Sequence, residues 1–173
     1  MRSMCPMCEN DLLDMRYDYE RTRAKWDTEY RGRPFNMWRY REMLPLRDLS
    51  NQVTMGEGGT PLYRARNVGM MLGLNQLFVK DERQGPTGSF KDRQASLAIS
   101  VLREMGVTEA VVASTGNVAI SYSAYSTHAG IKLWAFLPSM VPGEKMREIA
   151  LYGTEVIKVT RSEERRVGKE GIV

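Results

Sequence analysis

The feature that most restricts this chain is an alternation of two periodicities after residue 75. Short apolar runs, "QLFVKDE" (76–82), "AVVA" (110–113), "KLWAFLP" (132–138) and "TEVIKV" (154–159), read as strands. Between them lie segments with helical spacing. "SFKDRQASLAISVLREMG" (89–106) places Ala95, Ala98, Ile99, Leu102 and Met105 on one face. "VAISYSAYSTHAG" (118–130) and "PGEKMREIALYG" (142–153) follow. Strands that take turns with helices of this length need crossover connections, so the spacing predicts an α/β fold, a parallel sheet with flanking helices. Ser89 and Asp92 read as an S-x-x-D cap at the start of the first helix, and Gly106 as its C-terminal stop. Upstream, "FNMWRYREMLPL" (35–46) reads as a short helical turn ended by Pro45, and "GEGGTPL" (56–62) as turn chemistry.

With 173 residues, 42% of them hydrophobic and 27% charged, the chain is of ordinary globular composition and large enough for a proper core. The net charge is +4, but in "RYDYERTRAKWDTEYRGR" (16–33) the signs alternate. That pattern is a solvated face rather than a nucleic-acid stripe, so no nucleic-acid partner is expected. No apolar run is of spanning length and none follows Met1 as a signal segment, so no membrane association and a cytoplasmic location are the expectation. Cys5 and Cys8, in "CPMC", are the only cysteines. A C-x-x-C pair supplies half of a tetrahedral zinc site, and His128, the lone histidine, sits far away in a helical pattern.

Lys91 is the residue whose placement asks for a reason. It falls at a helix start, where the backbone dipole disfavours a positive charge. A lysine that attacks a carbonyl must spend time unprotonated, and a helix N-terminus with partial burial is a setting for Schiff-base chemistry. Pro86, Thr87 and Gly88 fix the approach, and Phe90 can shield one side of the amine. A second motif, Ser114–Thr115–Gly116–Asn117, sits between a strand and a helix N-terminus. Its backbone N–H groups, two hydroxyls and one amide make a cradle for an anion such as a carboxylate. It also lies at the carboxyl end of a strand, where open α/β sheets bind ligands.

Taken together, "MGEGGTPL", "VKDERQGPTGSFKDR", "ASTGNVAISYSAY" and "GIKLWAFLPSMVPGEKMREIALYGTEVIKV" resemble the fold-type II (tryptophan-synthase-β-like) pyridoxal-phosphate enzymes, and within them the threonine synthase family, over about residues 38–160. "CPMCENDLLDMRYDY" resembles the second knuckle and following strand of a small zinc ribbon found ahead of the catalytic domain in many members. The resemblance implies pyridoxal 5'-phosphate as cofactor, with zinc possible in a longer parent at Cys5 and Cys8. It implies that Lys91 bonds covalently to the cofactor aldehyde and acts as the catalytic base. Asn117 is implied to hydrogen-bond the cofactor's 3-hydroxyl, and Ser114, Thr115, Gly116 and Asn117 to receive the substrate carboxylate. Glu57 and Thr60 take no assigned role, and Lys80, in the "KDE" run with Asp81 and Glu82, reads as structural or peripheral. The implied reaction converts O-phospho-L-homoserine, a small amino-acid substrate, and water to L-threonine and phosphate. A homodimer is implied for the full-length parent.

The segments are then residues 1–20, a zinc-ribbon remnant; 21–55, an N-terminal arm; 56–160, the N-terminal part of the catalytic domain; and 161–173, a tail. The tail stretch "RSEERRVGKE" (161–170) breaks the pattern and looks like a translated sequencing adapter. The family's glycine-rich phosphate cradle, the hydroxyl partner of the pyridine nitrogen and the first zinc knuckle are absent, so the chain reads as a fragment cut at both ends and inactive alone. Three other readings compete. A threonine or serine dehydratase shares the lysine and S-x-G-N logic. A zinc-ribbon nucleic-acid-binding module accounts for "CPMC" but not for the βαβ pattern. A purely structural α/β domain leaves the placement of Lys91 unexplained.

Overall fold

The computed structural model describes residues 15–159. The chain opens with helix α1 (Tyr19–Glu29), started by Asp18, whose carboxylate accepts from the Arg21 N–H at 2.9 Å. The alternating charges of this segment lie mostly in solvent, as a solvated face requires. No apolar stripe announces α1 in the sequence. It is held through Trp26 and Tyr30, which pack with Tyr40 at ring separations of 5.7–5.9 Å. Tyr40 belongs to a 3₁₀ segment (Met37–Met43), which is the helical turn expected before Pro45. Arg33 joins the same unit. Its guanidinium bonds both oxygens of Glu42 at 2.7 Å and one of Glu29 at 2.6 Å. The guanidinium holds the Glu42 carboxyl down at about 2.

Strands β1 (Leu62–Arg64) and β2 (Phe78–Lys80) flank the short helix α2 (Arg66–Met71) and pair antiparallel, with Tyr63 opposite Val79. The sequence reading differs here. "QLFVKDE" does form a strand, but it lies outside the parallel sheet, and its partner β1 emerges from a stretch read only as a turn. Three-residue strands exposed along their whole length carry no alternation for a pattern to detect.

The regular half follows the expected order. Helix α3 (Lys91–Glu104), β3 (Glu109–Val112), α4 (Asn117–Ala129), β4 (Lys132–Pro138), α5 (Gly143–Leu151) and β5 (Glu155–Val159) form a three-stranded parallel sheet in the order β3-β4-β5. Val111 lies opposite Trp134, and Ala135 opposite Val156. Leu133, Ala135 and Leu137 of β4 point into the core with Ala110 and Val112 of β3, while Val111 and Phe136 on the other face are exposed. Helix α4 packs most extensively against α3 and carries eight consecutive buried residues, Ala119 to Ser126. Small side chains at five of these (Ala119, Ser121, Ser123, Ala124, Ser126) let neighbours approach closely on every side.

The arm is fastened to this core at Glu57. Its side chain is 1% exposed and has no cationic partner among the described ion pairs. One carboxylate oxygen accepts from Trp38 Nε1 at 2.7 Å, and the other from Tyr125 Oη at 2.7 Å and the Met55 N–H at 3.0 Å. Trp38 Nε1 also reaches Ser96 Oγ of α3 at 2.9 Å, and Ser96 in turn donates to the Val53 carbonyl at 2.7 Å. Burial alone would raise the Glu57 carboxyl. The groups converging on it, Ser96, Tyr125 and the Met55 N–H, outweigh that and hold it below the ordinary carboxyl range. Burial, with the hydrogen bond to this same carboxylate, pushes the Tyr125 phenol up.

Beside Glu57, the backbone leaves no room for side chains. Gly58 and Gly59 have φ of +98° and +62°. A Cβ on Gly58 would sit 2.5 Å from the Met37 nitrogen, and one on Gly59 would overlap the Phe35 carbonyl. The Met37 N–H meanwhile donates to the Glu57 carbonyl at 2.9 Å. The two adjacent glycines are therefore the seat on which residues 35–37 rest.

Glu57→Gln places an amide NH₂ against either the Trp38 or the Met55 N–H, neither of which can accept. The expected loss is about 2 kcal/mol in urea unfolding. The carboxyl is ionised in the folded chain at pH values where the unfolded chain protonates it. Its contribution is therefore complete above about pH 4.5 and disappears as pH falls through the lower folded value. Melting curves from pH 6 to pH 3 should show an acid loss in the native protein that is shallower in Glu57→Gln; equal slopes refute the assignment.

Candidate functional site

Two helix N-termini and the end of β2 meet at an open cleft of about 430 Å³. Its walls include Lys80, Arg83, Gly88, Ser89, Phe90 and Asn117. Lys91 is the first residue of α3 and is half-buried. Its Nζ lies 4.5 Å from the centre of the Phe90 ring, so Phe90 covers one side of the amine, as expected. Phe90 itself is exposed at the cleft.

The start of α3 differs from the S-x-x-D reading. Phe90, with helical backbone angles, occupies the N-cap position and makes no side-chain cap bond. Ser89 Oγ accepts from the Lys91 N–H at 3.3 Å. Asp92 turns away from its own helix. Its carboxylate accepts from the Thr87 N–H at 2.9 Å, from Thr87 Oγ1, and from Ser121 Oγ of α4 at 2.9 Å. A tertiary partner has taken the carboxylate that a local rule would give to the helix end.

The Ser114–Asn117 loop connects β3 to α4, at the carboxyl end of the strand as expected. Gly116 is the N-cap residue of α4, and its N–H donates to Ser114 Oγ at 3.4 Å. Asn117, exposed at the first position of α4, is the member of this loop that lines the cleft; Ser114, Thr115 and Gly116 lie outside the lining. Lys91 also lies outside the lining, to which its neighbours Gly88, Ser89 and Phe90 belong. The structure thus brings the Lys91 loop and Asn117 to one cleft and leaves the rest of the anion cradle beside it.

The outer wall is built by charges. Asp81 caps the 3₁₀ turn Glu82–Gln84 and pairs with Arg83 at 2.9 Å, which holds its carboxyl down at about 2. Glu82 accepts from Thr60 Oγ1 at 2.8 Å and pairs with Arg93 of α3 at 3.0 Å. Lys80 donates its ammonium to the Thr60 carbonyl, which agrees with a structural reading, although it also borders the cleft. Cys5 and Cys8 lie outside the described residues, and among the described residues no cluster of three or more His, Cys, Asp or Glu could hold a metal. Glu57, Asp92, Ser96 and Ser121 were not singled out from the sequence for the contacts they make. Asp92 carried a signal, but one that pointed to a cap.

The chemistry of the donor set fits a cofactor that presents an aldehyde, an aromatic ring and anionic groups. The Lys91 amine stands 4.5 Å from the ring centre of Phe90, which lines the cleft, and Asn117, the first residue of α4, lines it too. The volume suits a small-molecule ligand.

Comparisons with known proteins give the same chemistry. Residues 53–170 match the family described as "Pyridoxal-phosphate dependent enzyme", a span that enters the 161–173 tail. The threonine synthase of Methanocaldococcus jannaschii is 43% identical over 155 residues, 88% of this chain and 38% of that protein. The threonine synthase of Methanosarcina acetivorans is 33% identical over 156 residues, 90% of this chain and 38% of that protein. Among solved structures, maize serine racemase superposes with a TM-score of 0.56 at 29% identity, covering 64% of this chain and 34% of the racemase. The chain belongs to the pyridoxal-phosphate-dependent enzyme family, and it spans 38% of the length of these two curated relatives.

Arg93→Ala removes the guanidinium that joins Glu82 to α3. The pair is partly exposed, so the expected loss of global stability is below about 1 kcal/mol. Amide exchange of residues 82–90 should rise more than that of α4. Uniform exchange across both regions would show that the pair does not organise the cleft wall.

Proposed function

We propose that this member of the pyridoxal-phosphate-dependent family is the lysine-bearing part of a threonine synthase, which converts O-phospho-L-homoserine and water to L-threonine and inorganic phosphate. The convergence of the Lys91 loop and Asn117 on one cleft at the carboxyl end of β3 carries the reading. Similarity to threonine synthases favours this substrate over those of other family members.

On this reading Lys91 and Asn117 hold the cofactor, the first through its amine and the second through its amide. When bound, the cofactor supplies an electron sink that makes the substrate's Cα–H acidic. The amine of Lys91 takes the Cα proton as general base and carries protons between neighbouring carbons. The N–H groups and hydroxyls of Ser114, Thr115, Gly116 and Asn117 receive the substrate carboxylate, which fixes where the Cα proton stands. Phe90 borders one side of the lysine amine, its ring centre 4.5 Å away. Among the described residues no helix is long and apolar enough to cross a membrane. The reading extends to a cytoplasmic, homodimeric parent that handles a small amino acid and no nucleic acid, with residues 1–20, 21–55, 56–160 and 161–173 divided as the sequence suggests.

The parent protein should release phosphate, with threonine formed in equal amount, from O-phospho-L-homoserine. Ammonia released from threonine or serine in its place would assign a dehydratase. In the 173-residue chain, incubation with pyridoxal phosphate and reduction with borohydride should label Lys91, and Lys91→Ala should bring the label at that site to background.

A further inference from the structure

We propose that Asp92 is a positioning residue that holds the Lys91 amine in register with Asn117, an inference that rests on Lys91 being the cofactor lysine. The Asp92 side chain is 1% exposed and takes part in none of the described ion pairs. Its donors are neutral groups, a backbone N–H and two hydroxyls. Its contacts run to two separate pieces of the cleft. Thr87, in the loop that leads to Lys91, donates to it from N–H at 2.9 Å and from Oγ1. Ser121, one helical turn beyond Asn117 on the same face of α4, donates to it at 2.9 Å. Thr87 Oγ1 and Ser121 Oγ also touch at 2.8 Å, which closes a triangle of oxygens between the two helices. Gly85 supplies the last side: a Cβ there would stand 2.5 Å from Asp92 Oδ2, so the loop lies directly on the carboxylate. Asp92 neighbours Lys91 in the chain, and the carboxylate spans from that lysine's loop to the helix that presents Asn117. The register of the two cofactor-holding residues is set there.

The role is geometric, which makes the amide the informative replacement. An asparagine oxygen can accept from the Thr87 N–H, and its NH₂ can donate to the two hydroxyls, which then act as acceptors. Alanine leaves the Thr87 N–H without its acceptor and the two hydroxyls with only each other.

The test is the ratio of Lys91 to Lys80 labelling in the 173-residue chain. Each amine condenses with the aldehyde of added pyridoxal phosphate, releasing water, and borohydride supplies the hydride that fixes the adduct for peptide mass spectrometry. Lys80 borders the same cleft, so loosening of the fold at large raises or lowers both sites together. Native protein should favour Lys91. Asp92→Ala should lower the ratio roughly tenfold, because small misplacements of a reacting group carry large rate penalties. Ser121→Ala, which breaks only the link to α4, should lower it severalfold, and Asp92→Asn should stay within about twofold of native. If Asp92→Ala fails the circular dichroism check for folding, Ser121→Ala and Asp92→Asn decide. An unchanged ratio in Ser121→Ala and in folded Asp92→Ala overturns the proposal while leaving the role of Lys91 intact. Loss of preference in Asp92→Asn as large as in alanine overturns the geometric role. A native protein that does not favour Lys91 overturns the cofactor-lysine reading, and this inference with it.

Discussion

The fold turns on an ionised carboxylate that is buried with no cation beside it among the described ion pairs. Glu57 is reached by the arm through Trp38, by its own loop through Met55 and by α4 through Tyr125, while Ser96 of α3 joins the arm's indole. The obligate N–H donors sit on opposite oxygens, so only a group that accepts on both sides satisfies them. Each donor comes from a different part of the chain, and the carboxylate is desolvated only if all arrive together. Such an arrangement penalises partial assembly, because any missing donor leaves a charge inside without compensation. The arm, the glycine turn and the two long helices therefore behave as one unit.

The regular part of the fold was legible because its signals are strong. From Lys91 to Val159, three helices and three strands fall within about two residues of where spacing and apolar runs put them. The N-terminal part was hidden for physical reasons. Helix α1 has no apolar stripe, and its attachment uses aromatic and Arg33 contacts that depend on residues up to fourteen positions away. Strands β1 and β2 are too short and too exposed to show a period. The places of Lys91 at the start of α3 and of Asn117 at the start of α4 were legible because both follow from the same strand and helix spacing. Asp92 and Glu57 could not be assigned, since a carboxylate's partners in a folded chain are set by tertiary contact, and Asp92 offered a plausible local role that Thr87 and Ser121 displace.

Both buried carboxylates share a logic that bears on the cleft. Neither is matched by a cation among the described ion pairs, and each gathers hydroxyl and N–H donors from separate elements. Glu57 ties the arm to the helical layer; Asp92 ties the lysine loop to α4. Between them they fix α3 and α4 at both the middle and the N-terminal end, which is where the amine and amide are displayed. The outer wall is of another kind. Pairs such as Arg83–Asp81 and Arg93–Glu82 are partly in water and add little stability, but they set the shape of the loop that borders the cleft.

The glycines beneath the arm have an outcome for how such a chain can vary. The nearest obstacles at Gly58 and Gly59 are main-chain atoms, the Met37 nitrogen and the Phe35 carbonyl oxygen. A bulky neighbour can be trimmed by one further substitution, but a peptide backbone cannot be made smaller. No single compensating change elsewhere can therefore open either site to a larger residue. Drift at these two codons has to wait for an insertion, a deletion or a re-routing of the preceding segment, so the pair should change in rare jumps and not by gradual replacement.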